Sequence, residues 1–249
     1  MNRSYIIICL FAGACGLASA GTGWGTTIDD NYIGGIYSGG TLSSESRDII
    51  SGGKPYDIQK MVVNINPTTT TIDVYTNYVN KVNSDLNIEY GDLFLSNNGW
   101  NPYDPTEMDY YNNGEFWEFA LVLNDHSGDT TGGTASLYAI TSKSDYILAE
   151  KTGSSVYRAG QEVQFNTSGK KPLATGSWSV FSDSFGTGLH FTIGTSFLKL
   201  GTDDLGLRWA MTCANDIIEG SAPVPEPATM LLFGTGLVGL AGISRRRRK

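Results

Sequence analysis

Hydrophobic and polar residues alternate with a period of two in short segments between residues 57 and 213. Segments 57–65 and 70–79 show this most clearly, because each places its large or β-branched side chains on one face: Met61, Val63, Ile65, Ile72, Val74, Thr76 and Tyr78. Such alternation is typical of a half-buried β-strand. Two neighbouring strands are therefore predicted early in the folded region.

Eight later segments carry the same strand pattern: 92–96, 116–123, 135–140, 146–150, 162–165, 177–181, 189–193 and 206–213. In segment 116–123 the spacing predicts one shared face for Trp117, Phe119, Leu121 and Leu123. Clusters of Gly, Asn, Asp and Ser separate the segments and suit tight turns. Segment 21–55 is rich in Gly, Ser, Thr and Asp, and we expect irregular structure or short edge strands there.

Strand patterns follow one another closely, and no segment before Ala228 shows the 3.6-residue period of a helix. This favours an all-β fold built as a single antiparallel β-sandwich, of which the jelly roll is one form. We assign the sandwich domain to residues 21–221 and a short linker to 220–227.

The first 20 residues predict a secretory signal peptide. Arg3 supplies a positive start, residues 5–17 are apolar, and Ala18-Ser19-Ala20 forms a small-residue cleavage site. The mature chain would then begin at Gly21. An alternative is lipidation at Cys15, although Ala12 stands where lipoprotein signals favour leucine.

Residues 222–249 predict a membrane-stop signal in three parts. Pro225, Glu226 and Pro227 form an extended, accessible segment, because proline fixes its own φ and restricts the preceding residue. Residues 228–243 are uncharged and would form a helix of roughly 24 Å, close to the thickness of a membrane core. The cations that follow would hold this end in the cytoplasm: Arg245, Arg246, Arg247, Arg248 and Lys249.

This tail resembles the PEP-CTERM sorting signal of bacterial surface proteins in its triplet, its Gly-rich apolar helix and its arginine cluster. The resemblance implies handling by an exosortase, a membrane enzyme that cuts near the triplet in cells that export exopolysaccharide. A simple anchor that is never cut is the alternative. The body also resembles a PEP-CTERM group without an assigned activity, in segments 29–35, 91–96, 99–100, 117–118, 176–180 and 209–216. This second resemblance implies that the proteins are related, but it implies no mechanism.

Charge and cysteine content narrow the function of the exported body. Without Arg3, Glu226 and the terminal cations, 11 Lys and Arg remain against 24 Asp and Glu, for a net charge near −13. Such a body repels nucleic acid, so we expect no nucleic-acid partner. Cys213 is the one cysteine left after removal of the signal peptide, and it is predicted to be a buried, inert thiol.

Catalytic motifs are absent from the sequence, and we expect no enzyme activity. His126 and His190 are both interpreted as surface histidines, away from any nucleophile motif. A secreted glycoside hydrolase is a weaker alternative, since it would need two suitably spaced carboxylates among Asp92, Glu115, Glu118 and Asp125.

Two binding sites are also predicted. Oxygen-rich Asp29, Asp30 and Asn31 form the preferred calcium site, ahead of the Asp203-Asp204 turn, and no other cofactor is expected. One polar loop holds four candidate rings for stacking on a glycan: Trp100, Tyr103, Tyr110 and Tyr111. An aromatic lid packed over the edge of the sandwich is the alternative for them. Trp117, Trp178 and Trp209 are assigned to the core instead.

Together these features predict an exported cell-surface or matrix protein with a structural or adhesive β-sandwich. Its partners would be signal peptidase and the export machinery, an exosortase, and exopolysaccharide, with membrane contact through the C-terminal helix. A carbohydrate-binding module of the exopolysaccharide matrix is the first alternative for the body.

Overall fold

The computed structural model describes residues 25–30, 37–38, 41–42, 49–50, 53–81, 86–101, 115–150 and 156–225. Within these residues the chain forms strands and three short 3-10 turns, at Lys54–Tyr56, Lys143–Asp145 and Thr195–Leu198, and no α-helix. The strands are β1 (Thr26–Asp29), β2 (Tyr37–Ser38), β3 (Thr41–Leu42), β4 (Ile58–Ile65), β5 (Thr69–Thr76), β6 (Leu93–Ser96), β7 (Phe119–Leu123), β8 (Gly132–Ala139), β9 (Tyr146–Leu148), β10 (Glu162–Phe165), β11 (Ala174–Ser182), β12 (Thr187–Gly194), β13 (Leu205–Ala210) and β14 (Ile217–Ala222).

Ten strands form one continuous antiparallel sheet in the order β1-β4-β5-β12-β11-β8-β7-β6-β13-β14. Two small hairpins lie outside it, β9 with β10 and β2 with β3. The all-β antiparallel prediction is confirmed. The expected two separate sheets are replaced by a single sheet that curls into a nearly closed, barrel-like sandwich.

The curl brings the two edge strands, β1 and β14, against each other. A side chain added at Gly220 of β14 would lie 2.4 Å from Cγ2 of Ile28 in β1, so the close approach requires glycine. Asp216, just before β14, links this edge to β4, the neighbour of β1, because its Oδ2 accepts a 2.6 Å hydrogen bond from the backbone N–H of Ile58. Closure in this way leaves little exposed edge for pairing with other chains.

The interior of the barrel is filled by the alternating side chains that the sequence predicts. They form one apolar cluster from all sides of the sheet: Met61, Val63, Ile72, Val74, Leu93, Leu95, Leu121, Leu137, Trp178, Leu189, Phe191, Leu207 and Trp209. Each fully buried aliphatic side chain of this kind contributes about 1.5–3 kcal/mol. Cys213 belongs to the same cluster and is a free thiol, as predicted.

A second apolar cluster lies on the outer face of β6, β7 and β8, under the β9–β10 hairpin. Phe94 contacts Tyr146 edge to face at 5.7 Å, and Tyr138 stacks on Phe165 at 5.2 Å. The predicted shared face for Trp117 with Phe119 is wrong, because β7 begins only at Phe119 and the alternation does not extend back to Trp117. Trp117 is buried in this outer cluster.

The predicted linker also needs correction, whereas the predicted end of the sandwich domain at residue 221 lies one residue before the end of β14. Gly220 was predicted to begin a linker, but β14 pairs with β13 as far as Ala222. Residues 1–20 and 228–243, the predicted signal peptide and membrane helix, lie outside the described residues. Among the residues that are described, no helix has the length and apolar character needed to cross a membrane.

Candidate functional site

A buried carboxylate and a histidine meet at one end of the outer cluster. Asp92, just before β6, is fully buried. Its Oδ1 accepts a hydrogen bond from the backbone N–H of Leu123 at 3.1 Å and lies 2.8 Å from Nε2 of His126. Its Oδ2 accepts from the backbone N–H of Phe165 at 2.8 Å. Asp92 therefore joins β7, β10 and the loop after β7 at one point.

His126 differs from the free surface histidine that the sequence suggested. Burial by itself lowers the pKa of His126, but the hydrogen bond and the charge of Asp92 outweigh it, and the pKa is raised above the ordinary 6.5. The charges of Glu89 and Asp125 act in the same direction. The Asp92 carboxylate thus stabilises the protonated form of the imidazole relative to a free histidine, with Nε2 donating to Asp92.

A cavity of about 330 Å³ opens beside His126, between the outer face of the sheet and the β9–β10 hairpin. Its polar lining consists of Asn124, His126, Ser136, Tyr138, Gln164 and Thr167. Val122, Ile147 and Phe165 supply most of its apolar wall. The volume falls at the lower end of the range for small-molecule sites.

Several polar groups of this cavity are held in place by the fold. Asn124 Oδ1 accepts a 3.0 Å hydrogen bond from the indole N–H of Trp178, which orients its amide. The amide lies over Gly133, where a Cβ would come within 2.1 Å of it. Gln164 donates a 3.4 Å hydrogen bond to the backbone carbonyl of Tyr90. The lining is thus partly pre-organised.

The second histidine occupies a different environment. His190 on β12 stands opposite Asp73 on β5, and its Nδ1 lies 2.5 Å from Asp73 Oδ1. The hydrogen bond to Asp73 raises the pKa of His190, against the opposing effect of partial burial. The predicted outward position of His190 is confirmed, since it is 37 % exposed.

A buried ionic cluster lies between β13, β14 and β10. The Arg208 guanidinium bonds to Glu219, and its Nη2 donates to Gln161 Oε1 at 3.1 Å and lies 3.8 Å from Glu162 Oε2. All four side chains are almost completely buried. No sequence pattern pointed to this cluster, since Arg208 and Glu219 meet only through the register of β13 and β14.

The predicted glycan-binding aromatics are only partly within the described residues. Trp100 is half-buried against the outer cluster, and its indole N–H donates to Glu219 Oε2 at 3.0 Å. Tyr103, Tyr110 and Tyr111 lie outside the described residues. An exposed aromatic appears instead at the β11–β12 turn, where Phe185 is 77 % exposed and Lys60 Nζ lies 5.0 Å from its ring.

The four carboxylates considered for hydrolysis each accept hydrogen bonds from the protein itself. Besides Asp92, Glu115 accepts from the backbone of Asn101, and Glu118 accepts from Asn97 and Asn98. Burial raises the pKa of Glu118, while hydrogen bonds from Ser127 and Thr130 lower the pKa of Asp125. Each therefore has a role in the fold, and no described contact joins two of them.

The predicted calcium ligands are also only partly within the described residues. Asp29 is exposed on β1 and Asp30 follows it, half-buried, while Asn31 is outside the described residues. Within the described part of the chain, no group of three or more His, Cys, Asp or Glu side chains is placed to hold a metal ion. The calcium site stays a prediction.

The sorting segment begins where the fold ends. After Ala222, the last residue of β14, Val224 packs against the barrel core and Pro225 is exposed. Residues 223–248 match the family model of the PEP-CTERM protein-sorting motif. The chain carries a PEP-CTERM motif. This motif implies export and processing by an exosortase at the membrane or cell surface.

The motif match covers the C-terminal region and leaves the barrel body unassigned. Comparison with curated proteins gives no match, and comparison with solved structures gives none either. Glu226, Pro227 and the cations Arg245 to Lys249 lie outside the described residues. The sorting assignment therefore rests on the sequence of the C-terminal region. The geometry of the barrel is the basis for any function of the body.

The Asp92–His126 pair, like the Arg208 cluster, is a feature that the sequence interpretation missed. The two residues are 34 positions apart and belong to different loops, so no local motif joins them. One signal was available: Asp92 opens a run of apolar residues, Leu93-Phe94-Leu95, where a carboxylate is buried and needs a partner. With two histidines in the chain, the candidate partners were few.

Proposed function

We propose that this PEP-CTERM protein displays its barrel body at the cell surface or in the extracellular matrix, where the body has a structural or adhesive role. Exosortase is the processing partner, and exopolysaccharide is the proposed matrix component. The observation that carries the proposal is the junction at residues 222–225, where the last buried strand runs into the sorting motif.

The junction supports display because it leaves almost no free chain between body and motif. Ala222 is buried in β14 and Val224 packs against the core, while Pro225 is exposed. Before processing, the barrel would be held within a few residues of the membrane surface. The strongly acidic body then remains soluble once exposed.

A rigid body with few free edges suits a structural or adhesive role. The barrel is nearly closed by β1 and β14, and Phe185 projects at a turn that is fixed by Asp183. Asp183 Oδ1 accepts from the backbone N–H groups of Phe185 and Gly186, at 2.8 Å and 3.0 Å. An exposed aromatic side chain on a fixed turn loses little entropy on contact with a partner.

The intact mass of the mature protein, recovered from cell envelope and medium, tests the sorting part. We expect a chain from Gly21 to the region of Pro225, and loss of that product in a variant with Pro225→Ala and Pro227→Ala. A mass that retains Lys249 in the unaltered protein would contradict processing and leave a permanent anchor.

Surface attachment tests the adhesive part separately. Cells that make the Phe185→Ser variant should reach the same surface level of the protein but adhere less to their own matrix than cells with the unaltered protein. Thr202→Ala, at an exposed position in another loop, serves as the control. Equal adhesion by cells with and without the whole protein would refute the adhesive role.

A further inference from the structure

We propose that the cavity beside His126 binds one neutral sugar residue, at the end or on a side branch of a glycan. The proposal deepens the adhesive role and rests on it for its biological setting. The lining residues differ from the aromatic residues that the sequence predicted for glycan binding. Three properties of the cavity support the proposal: its lining residues, its charge balance and its partly pre-organised polar groups.

The lining offers polar groups for the hydroxyls of a sugar ring and apolar groups for its C–H face. Hydroxyl and amide groups at Asn124, Ser136, Gln164 and Thr167 can exchange hydrogen bonds with sugar hydroxyls. Apolar contact with the C–H face of the ring is available from Val122, Ile147 and the stacked rings of Tyr138 and Phe165. A mainly apolar ligand would leave these polar groups without partners, at a cost in affinity.

The charge balance favours a neutral ligand. Asp92 is buried behind His126, already accepts three hydrogen bonds, and balances the charge of the imidazole when the ring is protonated. The carboxylates of Glu89 and Asp125 are close enough to act on His126 as well. An anionic ligand would therefore meet net negative surroundings, and a metal cation would find no group of three His, Cys, Asp or Glu side chains among the described residues.

The Asp92 hydrogen bond also selects the ligand-binding atom of His126. Nε2 is bound to Asp92 at 2.8 Å, which leaves Nδ1 as the ring nitrogen available to a sugar hydroxyl. Neither Ser136 nor Thr167 forms a described hydrogen bond with His126, so the arrangement has no activated hydroxyl nucleophile. The geometry thus supports recognition of the sugar rather than bond cleavage.

Saturation-transfer NMR and calorimetry on the full chain, in a detergent without a sugar headgroup, test the proposal. The probes are glucose, galactose, mannose and N-acetylglucosamine, with glucuronate as the anionic comparison. We expect at least one neutral sugar to bind with a Kd in the millimolar range and more tightly than glucuronate. Absence of binding by all four neutral sugars, or tighter binding of glucuronate, would overturn the proposal.

Substitutions locate the binding to the cavity. Ser136→Phe fills the cavity and should weaken binding at least tenfold, whereas His190→Gln, at the other Asp–His pair, should leave it unchanged. If Ser136→Phe does not fold, Thr167→Val decides, because it keeps the shape of an exposed side chain and should weaken binding about three- to tenfold. Wild-type affinity in these cavity variants would refute the site, while the adhesion assay on cells would still test the proposed function independently.

Discussion

Arg208 offers the sharpest test of how this barrel is stabilised. Its guanidinium lies between two fully buried carboxylates, Glu219 and Glu162, and also bonds to Gln161 and to the backbone carbonyl of Glu162 at 3.2 Å. Substitution Arg208→Met keeps most of the side-chain volume and removes the charge. Two carboxylates then remain buried without this cation.

The expected cost follows from this burial. Removing one partner of a buried ion pair destabilises a protein by about 3–5 kcal/mol, because the remaining charge has lost its compensation. Taking a urea m-value of about 2 kcal/mol/M, the unfolding midpoint should fall by about 1.5–2.5 M. Urea unfolding followed by tryptophan fluorescence measures this directly, since Trp100 and Trp209 lie close to the cluster.

Two comparison variants separate charge compensation from packing. In Arg208→Met with Glu219→Gln, the amide at position 219 can still accept from Trp100, and less uncompensated charge remains. We expect this double variant to be more stable than Arg208→Met alone. Lys170→Met breaks the partly exposed pair with Asp145, 2.7 Å long, and should cost about 1 kcal/mol or less.

The ranking of these variants decides the argument. If Arg208→Met costs no more than Lys170→Met, burial of the cluster does not govern its energetics. If the double variant is less stable than Arg208→Met, the loss comes from packing and hydrogen bonds instead of unpaired charge. Either result would show that uncompensated buried charge is not the main cause of the destabilisation.

Three further predictions concern the His126 pair, the closure and the exposed turn. His126→Gln should cost about 1–2 kcal/mol below pH 6.5, and the difference from the unaltered protein should shrink as pH rises through the raised pKa of His126; a difference that grows with pH would contradict the assigned pair. Gly220→Val should lower the melting temperature by several degrees because its side chain collides with β1, whereas Gly201→Ala, with open space around it, should change it little; equal effects in calorimetry would argue against closure through β1 and β14. Phe185→Ser should change the free energy of unfolding by less than about 0.5 kcal/mol in urea, since the ring is exposed, and a larger loss would show that it packs into the fold.

The sequence determined the fold class and most strand positions. Alternation at Met61, Val63, Ile72 and Val74 is a local property, because each strand buries one face whatever its neighbours are. The apolar run Leu93-Phe94-Leu95 was equally visible in the sequence, but what covers its two faces could not be predicted from it. Both of its faces are buried, and the second face is covered by a hairpin formed more than 50 residues later in the chain.

The sorting motif was also readable from sequence alone. The triplet Pro225-Glu226-Pro227, an uncharged segment and a terminal run of cations are consecutive, so their physical properties need no tertiary contact to be recognised. The start of the linker was not readable. Gly220 looks like a linker residue in sequence, and only its close approach to Ile28 explains a glycine within β14.

Tertiary structure alone decided the polar sites. Asp92 and His126 are 34 positions apart and meet through the pairing of β6 with β7, whereas Ile58 and Asp216 are 158 apart and meet because the sheet curls. Arg208 meets Glu219 through the register of β13 and β14, and Glu162 of β10 lies beside them. Periodicity records which side of a strand is buried, whereas the identity of a buried polar residue's partner is set by strand order and register.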